Sequence, residues 1–202
     1  MIGIIDCGIG NLSSVKNILD YIGAESIIIN NPDSIKLIDK IILPGVGSFK
    51  LAMNNLEKKG FISPIKKFAE TDKYILGICL GMQLLSKQGT ESGLTRGLGL
   101  IDGIVDKLDS KNLRIPHMGW NGIKLNESHQ IIENVKIDAD FYFVHSFAFK
   151  AKFNHNIIAY TNYGKDFPSI ICNNKKNVIG IQFHPEKSQK QGLRIIENFI
   201  NI

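Results

Sequence analysis

Residues 74–85 read YILGICLGMQLL. An apolar run ends at Gly77, a cysteine stands at 79, Gly81 follows, and a second apolar run begins. The first run reads as a buried strand and the second as a helix, so the chain turns from one to the other within a few residues. A turn that tight needs glycine on both sides of its tip, where a Cβ would clash. Its tip residue is pushed out at the carboxyl end of the sheet, where open α/β sheets bind ligands. Gly77-Ile78-Cys79-Leu80-Gly81 is therefore the thiol version of a nucleophile elbow. The helix N-terminus favours a thiolate at Cys79, and the free N–H of Leu80 points where an oxyanion would form. The competing reading is a buried structural cysteine at a strand–helix junction, because short Gly-x-Cys-x-Gly strings also arise by chance.

Upstream of the elbow, strands and helices alternate. IGIID reads as a strand, and NLSSVKNILDYIG places Leu12, Val15, Ile18, Leu19 and Ile22 on one helical face, with Gly23 as a stop. SIIIN and KIILPG are short strands; SFKLAMNNLEKKG and SPIKKFAE have helical spacing. Helix is also expected over MQLLSK, beyond the elbow. This alternation predicts an α/β fold with a doubly wound, largely parallel sheet. After the glycine-rich stretch GTESGLTRGLGL the pattern becomes mixed and antiparallel. NGIKL, FYFVHSFAF, NIIAYTNY and SIICNNKKNVIGIQF read as strands, the last as a hairpin turning at NNKK. A closing helix, QKQGLRIIENFI, is expected to bury Leu193, Ile196, Phe199 and Ile200. The 202 residues favour a single domain over 1–202.

Composition is that of an ordinary globular chain, 44% hydrophobic and 21% charged. No apolar stretch approaches the roughly 18 residues of a membrane span, and the N-terminus has no basic region followed by a long apolar segment. Three cysteines, Cys7, Cys79 and Cys172, form neither a disulfide framework nor a metal-ligand spacing, which suits a reducing cytoplasm. The net charge of +5 comes from scattered Lys and Arg, a solvated surface rather than a nucleic-acid patch. The expectation is a cytoplasmic protein with no metal, no cofactor, no nucleic acid and no membrane partner. Gly8-x-Gly10 lacks the third glycine of a dinucleotide fingerprint, Ser13 standing in its place.

A nucleophilic cysteine needs a base. Of the five histidines, His129 and His155 lie in polar, loop-like sequence. His184 stands at the end of an apolar strand in IGIQFHPEKS, with Glu186 two residues on. In extended backbone both side chains leave on the same face. A carboxylate beside an imidazole fixes its tautomer and stabilises the imidazolium. By itself the segment also fits a loop His-Pro turn with an exposed Glu.

GICLG with HPE resembles the class I (triad) glutamine amidotransferases. More narrowly, IPHMGWN (115–121), YFVHSF (142–147), QFHPEKSQ (182–189), PGVGSF (44–49) and the opening DCGIGNLSSV resemble the glutaminase subunit of imidazole glycerol phosphate synthase, from end to end of the chain. The resemblance implies hydrolysis of glutamine to glutamate and ammonia by a Cys79–His184–Glu186 triad. It also implies a heterodimer with a (β/α)₈-barrel cyclase subunit of histidine biosynthesis, which receives the ammonia through a tunnel. Val46, between Gly45 and Gly47, would supply the second oxyanion N–H from a loop that is mis-set until partner and ligand bind. Gln83, one helical turn after Cys79, would bind glutamine, and His145, Ser146 and Phe147 would line the same pocket. Trp120, otherwise read as a core residue, would anchor the subunit interface. Asn11, Asn121 and Lys187 would face the tunnel mouth. Cys7 stands where the family usually has an aromatic residue, and Phe147 where it usually has tyrosine. Rival readings are a stand-alone cysteine hydrolase of the same fold, and a paralogue feeding ammonia to another acceptor such as a surface-glycan amino sugar.

Overall fold

A computed structural model describes residues 1–136 and 138–202. In chain order it contains β1 (Ile2–Ile5), α1 (Leu12–Ile22), β2 (Ser26–Ile29), β3 (Lys40–Gly45), α2 (Phe49–Lys58), α3 (Ile62–Glu70), β4 (Tyr74–Cys79) and α4 (Leu80–Leu84). The second half adds short strands β5 (Gln88–Gly89) and β6 (Thr95–Arg96), then β7 (Gly103–Lys107), β8 (His117–Gly122), β9 (Lys124–Leu125), β10 (Asp140–His145), β11 (Phe147–Ala151), β12 (Ile157–Tyr163), β13 (Lys165–Cys172), β14 (Val178–Ile181) and α5 (Gln189–Asn201).

The main sheet has the order β2-β1-β3-β4-β14-β13-β12-β9. Its first five strands are parallel and the last three antiparallel, which is the expected doubly wound, mixed architecture. Alternate residues of each parallel strand enter opposite layers, as the two-residue period of a strand requires. Ile4, Ile42 and Leu76 pack with Val15 and Leu19 of α1 and Ile195, Ile196 and Phe199 of α5 on one face. Ile5, Ile41, Leu43 and Ile75 pack with Phe49 and Leu56 of α2 and Ile65 and Phe68 of α3 on the other. Helix α1 starts at Asn11, whose side chain accepts from the N–H of Ser14, and stops at the left-handed Gly23.

The structure corrects several expectations. FYFVHSFAF is two strands: β10 pairs with β8 in a two-stranded ribbon, and β11 pairs with β7 in a four-stranded sheet with β5 and β6. The chain changes sheets at Ser146. NGIKL is split in the same way, its first residues ending β8 and its last forming β9. Helix α4 ends at Leu84 instead of continuing to Lys87. The carbonyls of Leu84, Leu85 and Ser86 are taken by the N–H groups of Leu98, Leu100 and Gly99, so the glycine-rich segment folds back over the helix end. In α5 the buried stripe is Gly192, Ile195, Ile196 and Phe199, with Leu193 and Ile200 only half-buried. A Cβ at Gly192 would lie 2.0 Å from the Pro185 carbonyl oxygen. That close approach sets the rotation of the helix and turns Leu193 outward.

Candidate active site

Cys79 ends β4 and begins α4 with φ 53° and ψ −109°. An L-residue seldom adopts positive φ, and such strain concentrates at functional turns. Both glycines of the elbow are sterically required. A Cβ at Gly77 would lie 2.7 Å from backbone atoms of Gly81 and Met82, and one at Gly81 would lie 1.7 Å from the Leu43 carbonyl oxygen. Leu80 opens the helix, so its N–H has no intrahelical acceptor.

His184 and Glu186 meet Cys79 from the end of the neighbouring strand β14. The His184 Nδ1 to Glu186 Oε1 distance is 2.7 Å, and both side chains are only 3% exposed. They are joined differently from the extended arrangement anticipated above. Pro185–Lys187 is one turn of 3₁₀ helix, closed by the Lys187 N–H donating to the His184 carbonyl. That turn, rather than a continuing strand, swings Glu186 back beneath the imidazole. His184 Nε2 and Glu186 Oε2 are buried and make no hydrogen bond within the described residues. Burial by itself would lower the pKa of His184. The neighbouring Cys79 sulfur and the hydrogen-bonded Glu186 carboxylate outweigh it and push the imidazole up to about 10.

A cavity of about 440 Å³ opens over these groups, lined among others by Val46, Gly47, Cys79, Leu80, Gln83, His145, Ser146, Phe147 and His184. The anticipated pocket residues are thus brought together except Gly45, which borders a smaller neighbouring cavity. Gly45 packs closely on the Leu80 side chain, where a Cβ would lie 3.1 Å away, and Gly47 has φ +100°. Gln83 commits its amide N–H groups to the Phe147 carbonyl (2.9 Å) and to Gln182 Oε1 (3.1 Å), leaving its own carbonyl oxygen for the cavity. The His145 ring lines the wall, but both its nitrogens are engaged, by the Phe147 carbonyl and by His117.

The four remaining anticipated residues lie outside this cavity. Trp120 is no core residue. It is 48% exposed and lies edge-on to Tyr142, with ring centroids 6.0 Å apart. Lys187 is exposed, with Nζ 5.6 Å from the centroid of the same tyrosine ring. Tyr142 in turn accepts the His184 N–H on its carbonyl. The exposed Met118 shares the Trp120 face of β8. Asn11 borders a small cavity behind the cysteine with Val46, His184 and Glu186. Asn121 faces the opposite side of β8 from Trp120 and is bonded to His117. Sequence reasoning missed Gln182, His117 and Glu91. Glu91 lines the cavity and accepts the Phe49 N–H that starts α2, at 2.7 Å. A separate cavity of about 690 Å³, near His129 and Lys176, contains none of these residues. Among the described residues no group of three His, Cys, Asp or Glu is placed to hold a metal ion, and no helix is long and apolar enough to cross a membrane.

A cysteine at a strained strand–helix elbow beside a buried histidine–carboxylate pair defines the class: an α/β protein with the layout of a cysteine-dependent hydrolase. Comparison with known proteins narrows this. The family model "Glutamine amidotransferase class-I" matches residues 3–202. The chain is 45% identical to imidazole glycerol phosphate synthase subunit HisH 1 of Campylobacter jejuni (strain RM1221), covering all of both chains. It is 44% identical to subunit HisH 2 of Methanococcus maripaludis, over 99% of this chain and 98% of that one. Among solved structures, PurLQS from Thermotoga maritima matches the fold with a TM-score of 0.79 at 19% identity, covering 99% and 97%. The chain belongs to the class-I glutamine amidotransferase family and, within it, to the HisH subunits of imidazole glycerol phosphate synthase.

Proposed function

We propose that this chain is the glutaminase subunit of an imidazole glycerol phosphate synthase, hydrolysing glutamine and passing the ammonia to a (β/α)₈-barrel cyclase subunit in a cytoplasmic heterodimer. The supporting observation is that Cys79 and His184 line one cavity while Glu186 holds the far side of the imidazole at 2.7 Å. In this reading His184, held by Glu186, already carries the proton given up by Cys79, and the thiolate attacks the side-chain amide carbon. The tetrahedral oxyanion is held by the N–H of Leu80 and by that of Val46 once the Gly45–Gly47 loop is set. His184 then gives its proton to the departing ammonia, leaving a thioester. A water molecule, deprotonated by His184, attacks the thioester and releases glutamate and the thiolate, leaving the proton on His184. The free carbonyl oxygen of Gln83 and the carboxylate of Glu91 suit the α-ammonium group of glutamine. The exposed Trp120–Tyr142–Lys187 cluster, with Met118 beside it, suits a docking face next to the triad. Asn11, on the small cavity behind the cysteine, suits the edge of the ammonia path.

The test is Cys79→Ala in the reconstituted complex. Glutamine-dependent synthesis should fall to background while synthesis from added ammonium salt persists at the parent rate. Loss of both, with the complex still formed, would refute the role given to Cys79.

A further inference from the structure

Two runs of hydrogen bonds meet at one backbone oxygen, and their donors and acceptors are fixed by backbone groups. Asn121 Nδ2 donates to the Asn162 carbonyl at 2.9 Å, and Asn121 Oδ1 accepts the Gly122 N–H at 2.9 Å. A carbonyl only accepts and an N–H only donates, so this amide has one orientation. Its other Nδ2 hydrogen then goes to His117 Nε2, 3.2 Å away. His117 Nδ1 lies 3.1 Å from His145 Nε2, and His145 Nδ1 lies 2.9 Å from the Phe147 carbonyl oxygen. With that carbonyl as acceptor, His145 must carry its proton on Nδ1 and accept on Nε2. His117 must then donate from Nδ1 and accept on Nε2, as the Asn121 end also demands. Both ends give the same assignment. Burial supports it, pulling His117 down to about 4 and His145 to about 3, so both rings are neutral.

The second run starts at the same oxygen. Gln83 donates one amide hydrogen to Phe147 O and the other to Gln182 Oε1. With its oxygen so occupied, Gln182, which is fully buried, turns Nε2 towards Cys79 Sγ at 3.7 Å. We propose that Gln182 is a further catalytic residue of the amidotransferase reaction, donating to the Cys79 sulfur and favouring the thiolate. Gln83 is the positioning residue that fixes which end of its amide faces the sulfur, and His145, His117 and Asn121 hold from the other side the Phe147 carbonyl to which Gln83 donates. The inference rests on Cys79 being the nucleophile. The role follows from the chemistry of the donor: an N–H aimed at sulfur stabilises S⁻ more than SH. It also leaves His184 Nε2 free of competing partners to hold the proton that the sulfur gives up. The titratable groups around the sulfur are His184, with Glu186 behind it, and the two neutral histidines of the first run.

The test uses the chain without partner. Cys79 is alkylated with iodoacetamide across pH, and mass spectrometry of peptides separates it from the buried Cys7 and Cys172. Gln182→Met removes the donor at similar volume, and Gln182→Glu replaces it with an acceptor of the same shape. In Gln182→Met the midpoint of alkylation should rise by about one pH unit, so that the rate at pH below the parent midpoint falls about tenfold; Gln182→Glu should fall at least as far. Unchanged midpoints in both, with circular dichroism melts like the parent, would overturn the proposal. Nitrogen NMR of imidazole-labelled parent chain gives a reading free of mutations. His117 and His145 should both be neutral with the proton on Nδ1, and a proton on Nε2 of either ring overturns the relay. Retention of glutamine-dependent synthesis by Cys79→Ala would instead sink the nucleophile assignment itself.

Discussion

Trp120 offers the sharpest test of the docking face, because its contribution can be worked from its exposure. It keeps 48% of its surface in contact with solvent while its edge rests on Tyr142. For a side chain of roughly 250 Å², about 120 Å² remains for a partner to cover. At about 25 cal/mol per Å² that is ~3 kcal/mol, a loss of roughly 100-fold in affinity when the ring is removed. Trp120→Ala leaves the contacts of the buried face of β8 untouched, so the fold should persist. Lys187→Ala is the matched comparison. Its exposed ammonium lies above the Tyr142 ring, an interaction of about 1 kcal/mol at most at such a site. A cation at the rim of an interface fixes register more than affinity. Calorimetric titration of each variant with the proposed barrel subunit gives the affinities, and the ratio of glutamate to synthase product gives ammonia leakage. Trp120→Ala should bind about 100-fold more weakly. Lys187→Ala should bind within about fivefold of the parent but form glutamate in excess of product. Parent-like binding by Trp120→Ala would refute the docking face, and a ratio of one in Lys187→Ala would reduce that lysine to a solvated surface charge.

The remaining predictions concern the elbow and the triad. Gly81→Ala forces a Cβ to within 1.7 Å of the Leu43 carbonyl, and β3 cannot withdraw while paired to both β1 and β4; denaturant melts should show a loss of about 3 kcal/mol or more. Gly23→Ala, where a positive φ is the only obstacle and the space is open, should cost about 1 kcal/mol, and equal losses in the two would contradict the steric account of the elbow. Glu186→Gln tests linkage. His184 is raised from 6.5 to about 10 in the folded state, so between those values the native chain binds more protons than the unfolded one. Its contribution is complete below pH 6.5 and is lost as pH rises through 10. The stability gap between parent and Glu186→Gln should therefore be widest below about pH 6.5 and shrink in alkali; a gap that grows with pH would show that the pair does not hold a proton.

What could be read from sequence was local. The elbow is legible because a single tight turn demands glycine at two fixed positions, 77 and 81, and the clash distances at both bear this out. The helix over 12–22 is legible because its cap, stripe and stop lie within a short stretch of chain. His184 and Glu186 could be paired because they stand so close in sequence, although a 3₁₀ turn and not a strand performs the pairing. The break at Ser146 was not legible: both halves of FYFVHSFAF are apolar and strand-forming, and what divides them is the choice of partners, β8 for one and β7 for the other. Strands β5 and β6 have two residues each, too short to carry a period.

The polar lining of the pocket was the least accessible part, for a related reason. Gln182 lies 103 residues from Cys79 and 99 from Gln83 along the chain, and a glutamine inside IGIQF has no periodicity that marks it as a donor. Its role becomes visible only when each amide and imidazole is asked which atom it must present, given a backbone carbonyl that can only accept. The same reasoning separates the two faces of β8. Trp120 and Met118 point outward, while His117 and Asn121 point inward and lead through Phe147 O to the amide beside the nucleophile. One strand thus bears both the exposed anchor and the first donors of the relay. A substitution on its outer face should alter partner affinity with little effect on Cys79 reactivity, and one on its inner face should do the reverse. Asn121→Ala should therefore slow alkylation of Cys79 in the isolated chain, whereas Trp120→Ala should leave it unchanged. If both variants alkylate like the parent, the inward run does not reach the sulfur and His117 and His145 are packing residues only.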